Sequence, residues 1–277
     1  MVDWKNQGHR TPNFSALSIP TVKDGGEFRE FVKEDFTTSF LTQGGKVVRT
    51  DCDFSAPNFN PKAIISHAIS DGAYGLLLSP TSSKINPAID LLQANKTRLK
   101  LFGNQSMYTI KTVQLGQAGS NGLVLAVAWH PTALSGNPFP DRAAKFWGGP
   151  VNWRTAMAYD ATQVIITGLM QSNTRDGLLH MLHNPGFSVK GATGRIEFLP
   201  SGDRKGEANL LIIEPGSASG TGYDFVPSLY LSVLVRRTHL AREECGIVSM
   251  VTEAVLYESL SGTERFSRKN QKLRALL

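Results

Sequence analysis

Hydrophobic and polar positions change period several times along this chain. Phe28, Phe31, Val32, Phe36 and Phe40 recur at helical spacing with charges between them, and Gly44 and Gly45 end the pattern. KVVRTDCDF, 46–54, reads as a strand. Asn60 and Pro61 cap and open a helix whose Ile64, Ile65, Ala68 and Ile69 share one face. AYGLLLS, 73–79, is a short continuous apolar run of the kind buried on both faces in a parallel sheet. Asn86 and Pro87 open a further helix carrying Ile89, Leu91 and Leu92. RLKLFG, 98–103, predicts a strand, 106–115 a short helix, and GLVLAVAW, 122–129, another strand. Helix and strand alternate four times, which is the signature of an α/β fold with a three-layer, doubly wound parallel sheet.

After the Pro- and Gly-rich link HPTALSGNPFP, 130–140, the pattern turns helical, over 141–147, 152–171 and 174–184, with Asn152 and Thr174 as caps. GATGRIEFLPSGDR, 191–204, packs three glycines, two arginines and two acids into fourteen residues and resembles a phosphate loop at first sight. A phosphate cradle leads into a helix. Here Gly194 leads into the alternating run Arg195-Ile196-Glu197-Phe198-Leu199 and then the turn Pro200-Ser201-Gly202-Asp203, so a hairpin is expected. ANLLIIEP, 208–215, is a last strand, GSASGTGYDF, 216–225, a Gly/Ser linker, and 226–277 two amphipathic segments with a basic end. Residues 1–24 read as a polar, irregular lead-in.

The 277 residues, 41% hydrophobic and 19% charged, describe an ordinary globular chain. A net charge of +6 with basic residues scattered among acids gives no nucleic-acid footprint. Cys52 and Cys245 form no disulfide framework or zinc spacing, and the run from Val226 to Val235 is about half of what spans a bilayer. MVDWKNQGHRTPNFS holds no apolar leader region. Gly25-Gly26-Glu27-Phe28 spells a diguanylate-cyclase tetrapeptide, but it opens a Phe-striped helix where that chemistry needs a hairpin turn beside carboxylates. His180 and His183, with Asp176 one turn earlier, suit a polar helix end better than a metal centre. No nucleophile elbow, Walker loop or zincin motif occurs, so no enzyme, cofactor or metal is expected.

Ligands of doubly wound sheets bind at the carboxyl ends of the strands. Three such ends are legible: Ser79-Pro80-Thr81-Ser82, Gly103-Asn104-Gln105-Ser106-Met107-Tyr108, and Ala128-Trp129-His130. Their hydroxyls, amides and aromatics suit a small polar ligand. Ser82 and Ser106 read equally well as caps, and Trp129 as a packing residue at a hinge.

DFSAPNFNPKAIISHAISDGAYGLLLSPTSSKINPAIDLL, LFGNQSMYTIKTVQLGQAGSNGLVLAVAWHP, VNWRTAMAYDATQVIITGL and GATGRIEFLPSGDR together resemble type 1 periplasmic binding proteins, most of all the branched-chain amino-acid receptors of ABC transporters. The resemblance runs from about 24 to 225. It implies two α/β lobes that trap a solute for delivery to a permease, without catalysis. Under it, 1–23 is a lead-in, 24–129 the second lobe, 130–207 helices and hairpin of an incomplete first lobe, 208–216 the return strand, and 217–277 linker and unassigned tail. Ser79, Pro80, Thr81, Ser82, Gln105, Ser106 and Tyr108 match the second lobe's ligand loops, and Trp129 an inter-lobe connection. The implied partners are an amino-acid-like solute, an ABC permease and a chain supplying the first lobe, with neither nucleic acid nor membrane insertion. The implied compartment is the periplasm, although the missing leader leaves the cytoplasm open. A ligand-sensing or interaction module in regulation, and a remnant without activity, are the alternatives. Stripped of a first-lobe sheet, the helices would expose Met157, Val164, Ile165 and Leu169.

Overall fold

The computed structural model describes residues 16–20, 37–38, 40–42, 47–50, 54–206 and 208–228, with 16–20 and 48–50 as backbone alone. Seven strands form one sheet: β1 (Ala16–Pro20), β2 (Val47–Thr50), β3 (Ala73–Leu78), β4 (Lys100–Gly103), β5 (Val124–Val127), β9 (Asn209–Pro215) and β10 (Tyr223–Pro227). Their order is β10-β9-β5-β4-β3-β1-β2. The five strands from β5 to β2 are parallel, whereas β9 runs antiparallel to β5 and β10 antiparallel to β9. The expected α/β architecture is present, and its sheet is mixed because the chain leaves after β5 and re-enters in the opposite direction.

Three helices, α1 (Pro61–Ser70), α2 (Ile85–Asn95) and α3 (Ile110–Gly116), connect the parallel strands and pack in a row, α1 on α2 and α2 on α3. Asn60 caps α1, its side chain accepting from the Ala63 N–H at 3.2 Å, and Pro61 supplies the first-turn φ. Chain reversal across the sheet sets the faces. The β1→β2 and β2→β3 connections move in opposite directions, so right-handed crossovers place the helical residues 40–42 opposite α1. Ile65, Leu76, Leu78, Leu91, Leu92, Leu125 and Leu211 form the main core beneath α1–α3. All four β3 residues after Tyr74 are buried without alternation, as expected for a central parallel strand.

Two readings of the sequence are corrected. The lead-in is not irregular throughout: Ala16–Pro20 pairs with both β2 and β3. The 216–225 linker ends in a strand, β10, which closes one edge of the sheet and tolerates Pro227 there. The Phe stripe before 37, Gly25-Gly26-Glu27-Phe28, Cys52, Cys245 and the tail from 229 lie outside the described residues.

The helical part comprises α4 (Phe139–Trp147), α5 (Trp153–Gln171) and α6 (Arg175–Leu182), capped as expected by Asn152 and Thr174. Of the α5 residues expected to be exposed, Ile165 and Leu169 are, whereas the structure buries Val164 and half-buries Met157. A three-stranded sheet, β6 (Val189–Gly191), β7 (Gly194–Phe198) and β8 (Arg204–Lys205), packs against α5. Here the 191–204 stretch is a hairpin: Gly191 pairs with Gly194 across a two-residue turn, and Gly194 has φ +98°. Its fixing point is Asp160, only 2% exposed, inside α5. That carboxylate accepts from the Ala192 N–H (2.5 Å), the Thr193 N–H (3.3 Å), the Thr193 hydroxyl and Arg204 Nη1 (3.1 Å). The two arginines have different duties. Arg204 neutralises a buried acid, whereas Arg195 pairs on the surface with Glu197.

Candidate functional site

The ends of β3, β4 and β5 form one rim, and amide side chains sew it together. Asn104 follows β4 and caps the short helical turn Gln105–Met107, its Oδ1 accepting from the Ser106 N–H at 3.1 Å. Its Nδ2 donates to Ser79 Oγ (3.1 Å) and to the Pro80 carbonyl (3.1 Å), so the β4 loop grips the β3 loop. Gln105 Oε1 accepts from the Ala128 N–H at 3.0 Å, tying the same loop to the end of β5. Asn209, opening β9, donates to the Ala128 carbonyl at 3.3 Å. All three amide orientations are those that satisfy the donors and acceptors around them.

The structure gives the eight sequence-derived residues different surroundings. Ser79 and Pro80 are buried beneath the rim, and Ser79 Oγ accepts from Asn104. Thr81 is half-buried and Ser82 exposed, with Thr81 Oγ1 2.9 Å from Ser83 Oγ. Gln105 and Ser106 are half-buried within the β4 loop. Tyr108 stacks on His130 (centroids 5.8 Å, 30°) and meets Phe225 of β10 edge-on (4.8 Å, 81°). Burial raises its phenol above the usual range. Trp129 is set apart from this rim: 1% exposed, it packs on Phe139 (6.0 Å, 79°), Ala156 and Ala192, at the joint between link and helices.

Residues outside the sequence-derived set hold this rim in place. Asn104, His130, Asn209 and Phe225 set its geometry. His130 is lowered to about 4, first by burial, while a hydrogen bond to the Phe225 backbone pulls the other way. Its Nδ1 lies 2.9 Å from Thr132 Oγ1. The cap pattern Gly-Asn-Gln-Ser was the available signal for Asn104; nothing local marked Asn209 or Phe225, which reach the rim only through strand pairing.

The rim's chemistry is that of neutral hydroxyls, amides and aromatics, which bind by directed hydrogen bonds and stacking. Among the described residues no cluster of three or more His, Cys, Asp or Glu could hold a metal. His180 and His183 are exposed, and His183 Nδ1 lies 2.9 Å from the Leu179 carbonyl of its own helix. No helix among the described residues is long and apolar enough to cross a membrane.

No family model matches this sequence, and no curated protein matches it. Solved structures do. A branched-chain amino-acid ABC transporter protein from Rhodospirillum rubrum superposes with TM-score 0.62 at 19% identity, over 78% of this chain and 61% of its own. A leucine-binding protein from Thermotoga maritima gives TM-score 0.62 at 19% identity, over 76% and 59%. An ABC-transporter solute-binding protein from R. palustris, in complex with benzoate, gives 0.61 at 14% identity, over 77% and 58%. The chain thus spans about 60% of the length of the structures it matches. Its fold is that of the type 1 periplasmic binding proteins.

Proposed function

We propose that this protein recognises a small polar, amino-acid-like solute as part of an ABC import system, without chemical transformation, and passes it to a membrane permease. The carrying observation is the stapled rim. Asn104 and Gln105 lock three strand ends together, so that Thr81, Ser82, Ser106 and Tyr108 stand at the place where sheets of this topology bind ligands. We propose Ser79, Pro80, Gln105 and Trp129 as supports of that site, acting through the backbone they fix. The benzoate complex of one solved neighbour and the amino-acid transport proteins among the others support a carboxylate-bearing small molecule as the ligand class. The periplasm is the compartment in which such a receptor works.

A rim on one side supplies about half of a cleft's contacts. Halving the free energy of a micromolar ligand leaves an affinity of roughly millimolar. Isothermal titration against leucine, isoleucine, alanine and benzoate checks this. The expected result is weak saturable binding by at least one ligand, abolished in Tyr108→Ala. Submicromolar binding, or no binding at 10-fold above the millimolar range, overturns the reading.

A further inference from the structure

The chain leaving β5 carries a histidine that is held from three directions. Thr132 donates its backbone N–H to His130 Nδ1 at 3.3 Å. Nδ1 is therefore the bare nitrogen, and the ring proton sits on Nε2, which donates to the Phe225 backbone carbonyl on β10. Tyr108, from the loop after β4, stacks on the ring at 5.8 Å and meets Phe225 edge-on at 4.8 Å. One neutral imidazole thus ties the outgoing chain to the rim loop and to the edge strand.

The surroundings give no support to an imidazolium. Tyr108 is the titratable group on the face of the ring, and burial holds its phenol protonated. On β10 the Asp224 carboxylate is spent on the N–H groups of Ala218 (2.9 Å) and Ser219 (2.7 Å). Lys111 of α3 is exposed, and residues 128–137 hold no acid and no Lys or Arg. Among the described residues, no charged group contributes to the shift of either ring.

We propose that His130 is an acid-released latch between the outgoing chain and the rim: neutral, it braces Tyr108 and Phe225, and protonation at Nδ1 lets them go. The added proton takes the lone pair that the Thr132 N–H uses, so that N–H loses its acceptor. The Thr132 hydroxyl, 2.9 Å from Nδ1, can accept the new N–H but cannot neutralise its charge. An unpaired charge in this half-buried place is costly, and turning the ring out into water removes that cost. Latched, the ring titrates near 4, and released it titrates near the ordinary 6.5. The released form therefore binds the extra proton and gains population as the pH falls through 6.5. Between pH 7 and pH 5 the ratio of latched to released forms should drop about 20-fold.

Both tests use the full chain without solute, so their outcome is independent of the solute-binding proposal. In nitrogen–proton correlation spectra at pH 7, His130 should show a protonated Nε2 and a bare Nδ1, and its titration midpoint should lie below about 6. The opposite tautomer, or a midpoint at or above about 6.5, overturns the proposal. Hydroxyl-radical footprinting read by mass spectrometry follows the release itself. Oxidation of Tyr108 relative to the exposed Tyr159 should rise severalfold from pH 7 to pH 5, while the fully buried Met107 of the same loop stays protected. In His130→Gln, which cannot gain a charge, the ratio should be the same at both pH values. An unchanged ratio in the wild type or an equal rise in His130→Gln overturns the latch. So does oxidation of Met107 in step with Tyr108, which marks general unfolding.

Discussion

Asn104 does more for the rim than any residue that touches solvent there. One side chain satisfies a backbone donor, a hydroxyl and a carbonyl, joining two loops 24 and 25 residues apart. Asn104→Ala should therefore destabilise the fold by about 1–3 kcal/mol, measured as a lower urea midpoint, because it strands half-buried partners. His130 sets a second expectation. Its folded pKa near 4 lies below the ordinary value near 6.5, so the unfolded chain binds the extra proton. Stability is full above about pH 6.5 and falls as the pH drops toward 4. Between pH 7 and pH 5 the loss should be about 2 kcal/mol, and urea unfolding of His130→Gln should show a shallower decline over the same interval. The loop positions of Ser79 and Gln105 were legible in the sequence, since strand ends are. Their inward duties were not, because the direction of a side chain in a loop depends on which neighbour offers a donor.

Among the elements, β3, β4 and β5 were legible because burial on both faces leaves continuous apolar runs. Strands β1 and β10 were hidden for opposite reasons. Ala16–Pro20 is short, ends in Pro and sits in polar sequence, so only its two parallel neighbours make it a strand. Tyr223–Pro227 follows a glycine- and serine-rich loop whose backbone is folded around Asp224, and its ladder with β9 is a tertiary fact. The hairpin 191–204 was legible as a hairpin; its attachment to α5 was not. Asp160 reads in sequence as one more polar residue on a helix, yet it anchors the whole β6–β8 unit. Asp160→Ala should cost about 3–5 kcal/mol, since it leaves the Arg204 charge and two N–H groups unmatched. Adding Arg204→Met should restore part of the loss, and a thermal-unfolding double-mutant cycle measures how much.

At the scale of the molecule, the connections between the large sheet and the helical part leave from one place. The chain goes out after Val127 and comes back at Asn209, and these two residues are register partners on neighbouring strands. The connections are thus about 5 Å apart at their roots, side by side and oppositely directed. Asn209 bonds the carbonyl of Ala128 just beyond the sheet, which binds the pair together for one residue more. Two parallel straps of equal origin form a flat ribbon. Such a ribbon folds readily about a line across its width and resists twisting and sideways shear. The ribbon geometry therefore predicts that rotation about that one line is the easiest displacement of the helical part relative to the sheet. Trp129 and His130 lie on the outgoing strap itself, so any change of angle is registered first by the packing of Trp129 on Phe139 and by the stack of His130 on Tyr108. With Trp4, Trp147 and Trp153 replaced by Phe, the fluorescence of Trp129 should change when that angle changes.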